Sequence, residues 1–181
     1  MHTRSRRPLR WLAPLAALAL AACGNSNDPP APQNLTAQIR VVHAVADAPA
    51  VDVVVDGSPA VQNLDFRQGS AFASLPTGVR SVEVRARTPG TPTRVIGPVS
   101  LTLTANRQYT VLATGTVATI APVVLERATE PVPAGSVRVQ VVHAAPAAPR
   151  VAVFVTAPGA ALASSAPLGT FAFRENLGPA N

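Results

Sequence analysis

The chain has 181 residues, of which 48% are hydrophobic and 13% charged, with nineteen Pro, eleven Gly and a single Cys. Its formal charge of +6 suggests an acidic partner only until the arginines are placed: Arg4, Arg6, Arg7 and Arg10 crowd the first ten positions, and the rest has eleven Arg against nine carboxylates, a balance of +2. No arginine cluster with interleaved aromatics follows residue 24, which argues against a nucleic-acid partner, and with no second Cys to pair, any fold must be held by its apolar core alone.

Residues 1–22 read as a signal peptide. The first ten positions are basic and Trp11 to Ala22 is an apolar run, shorter than the roughly 20 residues that a bilayer span needs. The run closes on Leu20-Ala21-Ala22-Cys23-Gly24, which resembles the bacterial lipobox. That resemblance implies cleavage between Ala22 and Cys23, and attachment of diacylglycerol and an N-acyl chain, palmitate among the candidates, to the Cys23 thiol. Two or three acyl chains anchor a protein firmly without spanning the membrane. Gly24 and Asn25, in place of an Asp after the cysteine, imply the outer membrane if the host is Gram-negative. Ser5-Arg6-Arg7-Pro8-Leu9 leaves general secretion and twin-arginine export both open. Residues 23–36, rich in Asn, Ser, Asp, Pro and Ala, lack apolar periodicity and read as a flexible tether.

From residue 37 to 127 short alternating runs are punctuated by Pro, Gly, Asn and Asp, the pattern of strands and turns. Ala37 to Ala44 is a first strand. Val51, Val53 and Val55 line one face of a second, and Asp56-Gly57 turns the chain. Ser70 to Leu75 is a third and Arg80 to Arg87 a fourth, with Val82, Val84 and Ala86 inward; residues 88–93 form a hairpin loop. Val99, Leu101 and Leu103 share a face of the next strand, and Tyr109 to Thr114 and Ile120 to Glu126 complete about seven. That density, with no helical period, predicts an all-β fold, an antiparallel β-sandwich of immunoglobulin-like or transthyretin-like kind. Tyr109 is read as ordinary core packing in preference to a tyrosine corner.

The chain repeats itself. Val41, Val42, His43, Ala44, Ala48, Pro49, Val51, Val53 and Val55 recur as Val141, Val142, His143, Ala144, Ala148, Pro149, Val151, Val153 and Val155 without a gap. Phe66-Arg67-Gln68 is echoed by Phe173-Arg174-Glu175 at an offset of 107, which places a seven-residue insertion in the loop from Ala157 to Pro167. Residues 128–136, with Pro131, Pro133 and Gly135, read as a linker, and 137–181 as an incomplete second repeat. The sequence stops before counterparts of the last four strands, so three explanations stand: a truncated fragment, which is preferred, a partial repeat packed on the first domain, or one that pairs with another chain by strand addition.

The stretches Arg40-Val41-Val42-His43-Ala44, Asp47-Ala48-Pro49-Ala50-Val51-Asp52-Val53, Val55-Asp56-Gly57, Leu75-Pro76-Thr77-Gly78 and Leu103-Thr104-Ala105-Asn106-Arg107-Gln108-Tyr109-Thr110-Val111 resemble the bacterial domain of unknown function 4397. The resemblance covers about residues 38–127 well and 137–176 partly. It implies a secreted or lipid-anchored protein that carries the domain in tandem, and it brings no active site.

Candidate chemistry is sparse. His43 with Asp47, Asp52 and Asp56 could form a weak cation site, since carboxylates near a turn suit a hard cation. The second copy replaces the acids by Ala147, Ala152 and Thr156 while keeping His143 and Pro149, which favours a structural histidine, bonded for instance to a loop carbonyl, and no metal. No nucleophile elbow, paired metal-type histidines or phosphate loop occurs, so neither catalysis nor a cofactor beyond the lipid on Cys23 is expected. The expected function is a non-catalytic binding module of the cell envelope, with an envelope protein or glycan as partner. The alternative is a structural component that self-associates through strand pairing of its open second repeat.

Overall fold

Alternating apolar and polar side chains, most of the former β-branched valines, commit the chain to strands. The structure, a computed structural model that describes residues 35–180, contains twelve of them and no α-helix among those residues. In the first copy they are β1 (Thr36–His43), β2 (Val51–Val55), β3 (Ser58–Leu64), β4 (Ala73–Pro76), β5 (Gly78–Ala86), β6 (Thr93–Leu103), β7 (Arg107–Thr114) and β8 (Ala121–Ala128). The count is eight where seven were expected. The added strand is β3, an edge strand that is mostly exposed, carries Pro59 and pairs with β2 through two register shifts. Pro59 and the missing alternation hide it from a periodicity reading. The Asp56-Gly57 turn that joins β2 to β3 has φ of 50° and 80°, the left-handed pair that a two-residue hairpin matching strand twist requires.

The strands form two four-stranded sheets, in the orders β4-β1-β7-β8 and β3-β2-β5-β6. One core joins them. Ala37, Ile39 and Val41 of β1 and Tyr109, Val111 and Ala113 of β7 pack with Val51, Val53 and Val55 of β2, Val82 and Val84 of β5 and Leu103 of β6. This is the expected β-sandwich, with one departure: β1 and β7 run parallel, Ile39 beside Tyr109 and Val41 beside Val111. The other pairings within the two sheets are antiparallel. On β6 a bulge shifts the register from Val84 opposite Ile96 to Val82 opposite Val99. Gly97 makes the shift possible, at φ 84° with its backbone so close to β5 that a Cβ would stand 2.5 Å from the Val82 carbonyl. Ile96 and Leu103 are thereby buried while Val99 remains exposed.

Tyr109 corrects a reading. Its ring is buried in the core, as ordinary packing requires, but its hydroxyl also accepts the Thr104 N–H at 3.1 Å. A tyrosine at the start of a strand whose hydroxyl ties back to the preceding corner is the tyrosine-corner arrangement.

The second copy supplies β9 (Val139–Val142), β10 (Val151–Val153), β11 (Gly169–Phe171) and β12 (Asn176–Ala180). They pair as β10 with β11 and β9 with β12, both antiparallel, and the registers copy those of the first repeat. Val151 opposes Phe171 as Val51 opposes Leu64, and Val142 opposes Asn176 as Val42 opposes Gly69. β12 lies against β8. Thr110, Val123 and Leu125, which alternation turns away from the core, are nevertheless buried. The structure thus sets β12 beside β8 of the first domain.

Candidate functional site

The repeated histidine sits at the end of β1, where Ala37, Ile39, Val41 and His43 all point inward, and it is fully buried. Its ring closes a loop on itself. The Val45 N–H donates to Nδ1 at 3.2 Å and Nε2 lies 3.1 Å from the Pro49 carbonyl. Because a backbone N–H can only donate, Nδ1 must be the acceptor, so the proton rests on Nε2 and is given to Pro49. The His43 main chain is also tied down: its N–H donates to the Gln68 carbonyl at 2.9 Å and its carbonyl accepts the Arg67 N–H at 2.8 Å. The Phe66 ring meets the imidazole edge-on at 6.3 Å.

All of this is built a second time. The Ala145 N–H donates to His143 Nδ1 at 3.3 Å, and Nε2 donates to the Pro149 carbonyl at 2.9 Å. The His143 N–H reaches the Glu175 carbonyl at 3.1 Å, its carbonyl accepts the Arg174 N–H at 2.8 Å, and Phe173 meets the ring edge-on at 6.4 Å. Arg67 and Arg174 both adopt positive φ, 69° and 67°. Both imidazoles therefore act as clips between a strand end and the loop that follows, and both ring nitrogens are spent.

The structure does not assemble the weak cation site. Asp47 accepts the Val117 N–H with its two oxygens at 3.1 and 3.2 Å. Asp52 accepts the Asn63 N–H at 2.8 Å and lies 3.6 Å from Arg87 Nε. Asp56 accepts the Ser81 N–H at 2.9 Å and pairs with Arg80 at 3.1 Å. The bond from Ser81 first, and then Arg80, hold the Asp56 carboxyl below the usual range against the opposing effect of desolvation. Each acid thus serves a separate loop, and among the described residues no three His, Cys, Asp or Glu converge to hold a metal. Ala22 and Cys23, the expected cleavage and lipid-attachment positions, lie outside the described residues, among which no helix is long and apolar enough to cross a membrane.

Periodicity did not reveal what the two clips build together. The loop after β1 (Ala44, Ala46, Asp47, with Phe66) and the loop after β9 (Ala144, Ala145, Pro146) face each other across Gly115 and Thr116, and enclose an open groove of about 590 Å³ with an almost wholly apolar lining. One cation fastens its two sides. Arg174 of the second copy donates through Nε to Thr114 Oγ1 at 3.1 Å and through Nη2 to the Thr114 carbonyl at 3.3 Å and to the Thr119 carbonyl. Gly115, at φ 108°, leaves room for this guanidinium, since a Cβ there would stand 2.9 Å from Nη2. The groove falls within the size range of small-molecule sites. Its lining offers apolar contact and the Asp47 carboxylate, and no nucleophile with an adjacent base.

A family model described as "Domain of unknown function (DUF4397)" matches residues 37–154, from the start of β1 through β10. No curated protein matches the chain.

Proposed function

Because the chain belongs to the DUF4397 family, whose description assigns no activity, we propose that it is a lipid-anchored, non-catalytic binding module of the cell envelope, held by acyl chains on Cys23. On this reading it offers the groove between its two histidine loops to an envelope protein or glycan. The observation that carries the reading is the fate of the histidines: His43 and His143, the only two after the signal peptide, are each consumed by two backbone hydrogen bonds. The space they shape is apolar and concave, which suits recognition.

A photo-crosslinking residue in the full chain tests the groove. Placed at Ala46 in the host envelope, it should capture a partner that the same group at Ala60, on the exposed edge strand β3, does not. Equal capture at both positions, or a hydrolytic turnover that His43→Ala abolishes, overturns the binding reading. The anchor is tested separately: labelled palmitate should enter the wild-type chain and not Cys23→Ser.

One observation favours a second reading, a structural component that assembles by strand addition. Among the described residues β9 pairs with β12 alone and β10 with β11 alone, and no strand lies where β7 and β5 stand in the first copy. Open edges invite pairing with another chain. Light scattering of the full chain in detergent decides: a mass that rises with protein concentration supports assembly, and a constant monomer mass removes it.

A further inference from the structure

The groove lies at the end of the strands that the loops after His43 and His143 close. The opposite end is where the chain enters, at Leu35, whose carbonyl accepts the Thr77 N–H at 3.0 Å. Hydrogen bonds carry this entry end across to the second copy. The Asn106 N–H donates to the Thr36 carbonyl at 3.2 Å, the Thr129 N–H donates to the Asn106 carbonyl at 3.0 Å, and Arg138, just before β9, reaches the Ala128 carbonyl at 3.3 Å. The tip of the β2–β3 hairpin belongs to the same end: Asp56 pairs with Arg80, which also bonds the Thr77 carbonyl at 2.9 Å. β9 rises from Arg138 to the His143 clip and β10 leaves from Pro149, as β1 and β2 do in the first copy, so the loop that follows β10 emerges at the entry end as well.

This second tip has none of the charge of the first. From Val151 to Phe173 no residue is charged, and Ala152 and Thr156 stand where the first copy has Asp52 and Asp56. Val155, Leu162 and Leu168 are exposed there. The polar groups of the loop are turned onto itself. The hydroxyls of Ser164 and Ser165 donate to the Ala161 carbonyl at 3.0 and 3.1 Å, and the N–H groups of Ala160, Ser164 and Ser165 donate to the carbonyls of Ala157, Ala161 and Leu162. A loop without charges, whose donors are already bonded, gives up little on leaving water, and its apolar side chains gain by it.

We infer that this end of the protein meets the bilayer, with the loop from Ala157 to Pro167 seated where the headgroups meet the acyl chains and the groove held away from the membrane. The inference rests on the proposed lipid anchor: Cys23 and Leu35 are twelve residues apart, a reach of at most about 40 Å, so acyl chains on Cys23 keep the entry end beside the membrane. That tether raises the local concentration of the loop at the surface, and a few apolar side chains then suffice where they would not hold a free protein. With no cation in the loop, the contact needs no anionic lipid.

The full lipidated chain in neutral phosphatidylcholine vesicles provides the test. The wild type, its one Cys carrying the anchor, should float with the vesicles and take up no thiol label. A polarity-sensitive fluorophore on Ala163→Cys should shift to the blue and be quenched by quencher-bearing lipids, and the same label on Ala46→Cys, in the groove, should escape that quenching. Leu162→Asp added to Ala163→Cys should abolish the shift and the quenching while keeping the wild-type melting temperature, because Leu162 is exposed. A wild-type chain that stays off the vesicles and is labelled at Cys23 removes the anchor reading and this inference with it. A chain that floats while its Ala163→Cys label remains unquenched by lipid overturns the bilayer contact alone; a blue shift that then grows with protein density identifies a second copy as what covers the loop.

Discussion

The two copies carry the same histidine clip in different surroundings. Around His43 two four-stranded sheets close over a common core, and the imidazole is fully buried; His143 is 4% exposed and sits among strands of three to five residues in two-stranded sheets. The hydrogen-bond distances of the two clips nevertheless agree within 0.2 Å. The acids that distinguish the first copy, Asp47 and Asp52, are alanines in the second without disturbing the clip. The clip is therefore a local unit, specified by the histidine, the proline six residues on, and the Phe-Arg pair whose backbone returns to the strand. The sandwich adds stability around it.

If so, the same change should cost different amounts in the two copies. His43→Ala leaves the Val45 N–H and the Pro49 carbonyl without partners and opens a cavity in the larger core, at about 3–4 kcal/mol. His143→Ala, in a thinner setting, should cost about 1–2 kcal/mol. Chemical denaturation of both variants measures the difference, and equal losses would mean that the sandwich contributes nothing to the first clip.

Arg174→Ala probes how the copies hold together. Removing the bonds to Thr114 and Thr119 should cost about 2 kcal/mol and raise amide exchange in β9 to β12 while β1 to β7 stay protected. Uniform exchange across both copies would show instead that they unfold as one. Tyr109→Phe, which removes the corner bond to Thr104, should cost about 1 kcal/mol, read as a shift in the denaturation midpoint.

The smallest effect concerns Glu83 of β5. The hydrogen bond from Arg85 first, then that from Arg94 at 3.1 Å, hold its carboxyl below the usual range despite desolvation. A carboxylate with a depressed folded pKa adds stability above its unfolded value, about 4.3, and loses it as the pH falls through the folded value. Glu83→Gln should therefore flatten the acid side of the stability profile below that pH and leave His143-side exchange unchanged. A profile identical to wild type would remove Glu83 from the pH response.

How much of this was written in the chain depends on the range of each interaction. β1, β2, β5 and the Asp56-Gly57 turn follow from residues within a few positions of one another, and their reading needs only alternation and turn chemistry. β3 escaped because Pro59 and two register shifts break its period. The parallel pairing of Ile39 with Tyr109 joins positions seventy residues apart, and no local pattern carries it. The clip was half legible: the recurrence of His43 and Pro49 marked it, but Phe66 and Phe173 became its walls only in three dimensions. The groove was not legible, since it needs one copy laid against the other, and the repeat says that the copies are alike without saying which faces meet.

The connection between the paired strands of each copy has one further consequence. In the first copy it is the two-residue Asp56-Gly57 turn, and in the second it is the stretch that carries the insertion, yet Val151 still meets Phe171 as Val51 meets Leu64. Closing a longer loop is cheap, about 0.6 kcal/mol for each doubling of length, so the hairpin tip is a natural grafting point. A foreign epitope spliced between Ala157 and Pro167 would be displayed at the end of a self-registering pair of strands, without altering either histidine clip.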